Sequence, residues 1–199
     1  MIKGVRLWGN EDVYYSQENN PTEAFLKATL NDRDSWLETC GPTAAINCLA
    51  AMGINIEIVC PGIYKPQPEE VLMDFFNDPR NKADLDSVRM VSSDIPENRV
   101  PQYYPLAVGR VFKAKAMFVW GLTFMDVAKY VLAGRAVQIC LRRPGHYVAV
   151  IAYDDDAREL IYNDSWGGRF PDGGGGWNRR MGWGEFNKNV QSHFVVYGV

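Results

Sequence analysis

The chain has 199 residues, 47% of them hydrophobic and 13% aromatic, and a formal net charge of −3. Such a chain can bury a sizeable core, which excludes a disordered protein, and its mild acidity argues against nucleic acid or an anionic membrane surface as a partner. No apolar stretch is long enough to span a bilayer, and residues 1–8 lack the apolar core of a secretory signal. The expected protein is a monomer without a membrane segment, cytoplasmic at synthesis, reaching any outside target only after release by another agent.

Taken in chain order, residues 13–17 predict a short strand running into a loop. Residues 21–30 predict an amphipathic segment with Phe25, Leu26 and Leu30 on its apolar side. A buried helix begins at Cys40 and stops near Gly53, a C-cap candidate. A second helix covers 69–77, opened by Pro68-Glu69-Glu70 and closed before Pro79. Residues 79–110, polar and broken by Pro96, Pro101 and Pro105, read as an irregular surface excursion and not as a linker. Thr123 caps a helix ending at Leu132. Strands follow at 136–141, 146–153 and 160–164, then a glycine-rich loop at 173–176 and a final strand at 194–197. Helices first and an antiparallel sheet second make an α+β fold, here expected as one domain over 1–199.

Chemistry concentrates in Cys40-Gly41-Pro42-Thr43-Ala44-Ala45. A cysteine at the start of a buried helix feels the dipole and the unpaired backbone N–H groups, both of which favour a thiolate. The other cysteines, Cys48, Cys60 and Cys140, read as buried and reduced. Cys40 and Cys48 on one helix are separated by about 12 Å, beyond the ~7 Å limit for bridged Cα atoms. Two histidines and no C-x-x-C leave zinc without a binding pattern, and no metal or cofactor is expected.

His146 opens a strand of buried character, and a hairpin turn centred on Asp155 would set Asp164 directly opposite it. Asn163 is the alternative orienting group; it points to the other face unless a bulge or shifted turn reverses the register. His193 is the rival base, with no turn-matched carboxylate. Cys40, His146 and Asp164 together suit nucleophile, acid–base and orienting roles. Gln17, ahead of the nucleophile, is the candidate second oxyanion donor beside the Cys40 backbone N–H.

These residues resemble the papain-like cysteine peptidases, closest to the double-glycine (bacteriocin-processing) branch. The resemblance is carried by Gln17, by Cys40-Gly41-Pro42 with the small residues after it, by Gly145-His146-Tyr147-Val148-Ala149-Val150, and by Asp164. Asn163-Asp164-Ser165-Trp166-Gly167 is also similar to the papain Asn-Ser-Trp-Gly segment, which implies that Trp166 shields the His146–Asp164 pair. The 23 residues from Gln17 to Cys40 imply a helical insertion, and residues 54–119 match nothing in the family. The resemblance implies hydrolysis of a peptide bond through an acyl-enzyme. A phage-type lysin cutting peptidoglycan peptides is one form of it. Acyl transfer of the transglutaminase kind and a non-catalytic peptide-binding module are the alternatives. Trp166, Trp177, Trp183, Tyr103 and Tyr104 are candidates either for a substrate cleft or for core and loop anchoring.

Overall fold

The computed structural model describes residues 1–19, 39–57, 66–90, 95–143, 145–167, 170–173 and 175–199. The amphipathic segment expected at 21–30 and Cys60 lie outside the described residues. Seven described strands form one antiparallel sheet. They are β1 (Ile2–Gly4), β2 (Ala116–Trp120), β3 (Val137–Leu141), β4 (His146–Asp154), β5 (Glu159–Asn163), β6 (Arg179–Gly182) and β7 (Val190–Tyr197). The order is β2-β7-β3-β4-β5-β6. β3 pairs with the first half of β4, and β1 continues along the same edge with Ala152 to Asp154. Every residue of β4 is buried, as its near-continuous apolar run requires of a strand covered on both faces.

One face carries α1 (Cys40–Ala51), α2 (Pro68–Asn77) and α4 (Tyr103–Phe112). Here Ile46, Leu49, Leu72, Phe76, Tyr104 and Val108 pack against Ala149, Ile151, Val195 and Tyr197. The other face carries α5 (Phe124–Leu132) and α6 (Trp183–Asn189), packed on Val148, Val150 and Phe194. All twelve residues of α1 are buried. Its alanines keep the helix thin enough to lie close to the sheet, and Pro42 falls in the first turn, where its missing N–H costs no helical bond. Thr123 caps α5 by accepting from the Asp126 N–H, as expected. The fold is α+β.

Three expectations need correction. The 79–110 stretch is not an irregular excursion: it contains α3 (Lys82–Val88) and all but the last two residues of α4, and Leu85, Val100, Tyr103, Tyr104, Ala107 and Val108 are core residues. Pro105 lies in the first turn of α4, where proline starts a helix and does not break one. No strand forms at 13–17. The Tyr15 N–H and C=O instead bond the side-chain amide of buried Asn47 on α1, at 3.0 and 2.8 Å, so a side chain satisfies the backbone that a ladder would otherwise pair. The hairpin register also differs. Asp154 pairs with Glu159 across a turn at 155–158, which would carry on to set Asp164 opposite Ala149. A bulge at Ile151 shifts the ladder by one, so Ala149 pairs with Asn163. Asp164 then falls opposite Val148, on the same side of the pleat as His146 and two residues along.

Candidate active site

Cys40 is the first residue of α1, His146 the first of β4, and Asp164 the residue after β5. Helix start and strand ends meet at one end of the sheet. Gln138, buried in β3, donates to the Gly41 carbonyl at 3.1 Å and ties the start of α1 to the sheet. Gly41 is required there, because a Cβ would strike the Tyr104 hydroxyl and come within 2.7 Å of the Asn98 carbonyl oxygen.

His146 Nε2 lies 2.6 Å from Asp164 Oδ1. The ring is also hydrogen-bonded to the Cys40 thiol; with Nε2 given to Asp164, Nδ1 is the nitrogen that faces the sulfur. Burial works against charge on both partners and their mutual attraction works for it. For Cys40, burial raises the thiol pKa. The hydrogen bond and charge of His146, the Tyr147 backbone N–H and the Arg99 guanidinium outweigh it, leaving a net lowering. For His146, burial lowers the pKa, but Asp164 and then Cys40 lift it to about 9. Pairing therefore favours the thiolate–imidazolium form of the two groups over the neutral one that burial favours. Relative exposures of 7%, 3% and 0% for Cys40, His146 and Asp164 keep bulk water from screening it.

Asp164 is fixed from several sides. Its Oδ1 also accepts the Trp166 N–H at 2.9 Å, and its carbonyl accepts the Tyr14 hydroxyl at 2.7 Å. Its N–H donates to the Gly176 carbonyl at 2.8 Å. The Trp166 ring stands edge-on to the His146 ring, centroids 6.1 Å apart. Asn163 faces away: its Oδ1 accepts the Asn178 N–H at 3.1 Å.

Residues 11–180 match the Peptidase C39-like family. The chain belongs to that family. A crystal structure assigned as a C39-like peptidase from Bacillus anthracis is similar at 12% identity and a TM-score of 0.35, covering 65% of this chain and 84% of that one. No curated protein matches the chain.

In this C39-like chain the segment holding Gln17 is stitched to the residue after Asp164. The Gln17 N–H donates to the Ser165 carbonyl at 2.9 Å, and its Oε1 accepts the Ser165 hydroxyl at 2.6 Å. The side chain is fully buried, and the Ser165 bond fixes which end of the amide donates. The rival histidine, His193, lines the Cys40 cleft, where the described bond of its ring is to a hydroxyl and not to a carboxylate. It is half-buried, its Nε2 lies 3.3 Å from the Tyr147 hydroxyl, and burial lowers its pKa.

Cys40 opens into a cleft of about 260 Å³, bordered by Arg99, Trp120, Cys140, Tyr147 and His193 among others. Sequence reasoning missed Arg99, Trp120 and Cys140 as wall residues. Cys140 is a neighbour and not a rival nucleophile, since burial pushes its thiol up to about 12. Of the aromatic candidates, Tyr103 and Tyr104 are core, Trp183 stands exposed on α6, and Trp166 alone contacts the His146–Asp164 pair. A more open depression of about 450 Å³ lies beyond Trp166 and does not include Cys40. No described helix is long and apolar enough to cross a membrane.

Proposed function

We propose that this C39-like chain is a cysteine peptidase that hydrolyses peptide bonds through Cys40, His146 and Asp164 by way of an acyl-enzyme. The observation that carries this reading is the paired Cys40 and His146, with Asp164 on the far ring nitrogen at 2.6 Å. The Cys40 thiolate attacks the scissile carbonyl carbon. The His146 imidazolium gives its proton to the leaving amine as the C–N bond breaks, leaving a thioester on Cys40. Neutral His146 then takes a proton from water, which attacks the thioester and releases the acid. Asp164 holds the ring orientation throughout. The oxyanion is met by the Cys40 backbone N–H at the start of α1 and by the Gln17 side-chain amide.

The test is mass spectrometry of products from a diverse peptide library, from peptides carrying a double-glycine site and from purified peptidoglycan, each with and without an added primary amine. Hydrolysis predicts free carboxyl products that persist when amine is present. Amine adducts would assign acyl transfer to the same three residues. Cleavage confined to double-glycine sites would assign leader processing, and cleavage of wall peptides a lysin. An intact library together with an unreactive Cys40 would reduce the chain to a peptide-binding module.

A further inference from the structure

Cys140 is a nucleophile that the hydrolytic mechanism does not use. It stands near the end of β3 and, like Cys40, borders the cleft. Two ties bring it to the Cys40 sulfur. Gln138 donates to the Gly41 carbonyl at 3.1 Å, and Cys140, two residues on along the same strand face, is thereby carried alongside the start of α1. Across the ladder Cys140 pairs with Tyr147, whose backbone N–H bonds the Cys40 sulfur, and side chains of paired residues share a face. Cys40, Ala44, Cys140 and Tyr147 accordingly form a buried cluster of their own, apart from the two larger cores.

The two thiols differ in reactivity. His146 holds Cys40 toward the thiolate. The Cys140 thiol is pushed up to about 12, first by burial and then by the negative charge of Cys40. An electrophilic oxidant entering the cleft therefore takes Cys40 first, and oxidation of Cys40 removes the charge that opposes ionisation of Cys140.

We propose that Cys40 and Cys140 form a reversible redox site, in which hydrogen peroxide oxidises Cys40 and Cys140 closes a disulfide onto it. The Cys40 thiolate attacks one peroxide oxygen. The S–O bond forms, the O–O bond breaks, and the leaving hydroxide takes a proton to become water; the sulfur loses the two electrons that the peroxide gains. The Cys140 sulfur then attacks the sulfenic sulfur. The S–S bond forms, the S–O bond breaks, and the hydroxyl leaves with the Cys140 proton as a second water. A dithiol reverses the bond by exchange, becoming a disulfide itself and returning both thiols. The cross-link silences Cys40 and keeps it from irreversible oxidation to sulfinic acid. This goes beyond the peptidase reading and needs only a reactive thiol at Cys40.

The test treats the protein with a small molar excess of hydrogen peroxide at neutral pH, blocks residual thiols with iodoacetamide, and maps cysteines by mass spectrometry of an unreduced digest. Wild-type protein should give a Cys40–Cys140 cross-linked peptide in a yield independent of protein concentration, and dithiothreitol should return both thiols. In Cys140→Ser the cross-link should vanish and dimedone should trap a sulfenic acid on Cys40. Further peroxide should then carry Cys40 to sulfinic acid roughly tenfold more than in wild type. A wild-type Cys40 that reaches sulfinic acid without the cross-link, that links to Cys48 or Cys60 instead, or that stays reduced while other cysteines oxidise, overturns the proposal. These readouts are masses and not turnover, so a protein that closes the cross-link and cuts no peptide would fail the peptidase reading and leave the redox site standing.

Discussion

At the scale of single residues, the site is a competition between burial and pairing. Burial alone favours a neutral thiol and a neutral ring; His146 opposes it at Cys40, and Asp164 followed by Cys40 opposes it at His146. The rate should therefore follow a bell. Its acid limb lies below the ordinary thiol value, where the thiolate takes a proton. Its alkaline limb lies near the His146 value of about 9, where the imidazolium loses one. Asp164 is the largest of the influences that raise His146. Asp164→Asn should accordingly move the alkaline limb of kcat/KM toward lower pH and cut kcat by at least about tenfold. An unmoved limb would mean that Asp164 does not set the state of the ring. Gln17→Ala should lower kcat by about 10²–10³ with little change in KM, as loss of one oxyanion donor does. A raised KM with kcat unchanged would place Gln17 in ground-state binding instead.

At the scale of elements, the site depends on two contacts that a Cβ would block, at Gly41 and Gly176. A Cβ at Gly176 would overlap the Asp164 carbonyl oxygen and press to 2.7 Å on the Tyr14 hydroxyl. Gly176→Ala should thus displace Asp164 and lower kcat far more than it lowers thermal stability; wild-type kcat in this variant would show that the 164–176 contact is dispensable. Much of this level was legible in the sequence. The start of α1, the Thr123 cap and the strands β3, β4 and β5 follow from local patterns, whereas β6 and α6 went unread and β7 was read only from residue 194. The His146–Asp164 pairing was legible only through two offsetting errors: the real turn slips the register to the wrong face, and the Ile151 bulge restores it. A bulge leaves no mark in hydrophobic alternation when both strand faces are buried. The segment holding Arg99 was misread for a different reason. Its prolines looked like breaks, although Val100, Tyr103, Tyr104, Ala107 and Val108 already spell one helical face. The Asn47 bond to Tyr15 could not be inferred, because a buried asparagine gives no indication of which backbone it will satisfy.

At the scale of the whole molecule, helices on both sheet faces enclose β4 and leave one end open for chemistry. The same burial places a carboxylate at a disadvantage. Glu69 at the start of α2 is 1% exposed, and burial lifts its carboxyl from 4.5 to about 7. The folded state therefore holds a proton that the unfolded chain releases, so this group favours folding below about pH 4.5, and that contribution is lost as pH rises toward 7. Glu69→Gln keeps the shape and removes the titration. It should raise Tm at pH 8 by several degrees and leave it nearly unchanged at pH 4.5; equal shifts at both values would show that burial of the charge is not the cause. The central claim, that the paired Cys40 thiolate is the peptidase nucleophile, is tested most directly by following peptide hydrolysis against fractional iodoacetamide labelling of each cysteine at neutral pH. The account predicts that Cys40 is labelled well ahead of Cys48 and Cys140 and that activity falls in proportion to its labelling. Full hydrolysis by protein completely alkylated at Cys40 would contradict it.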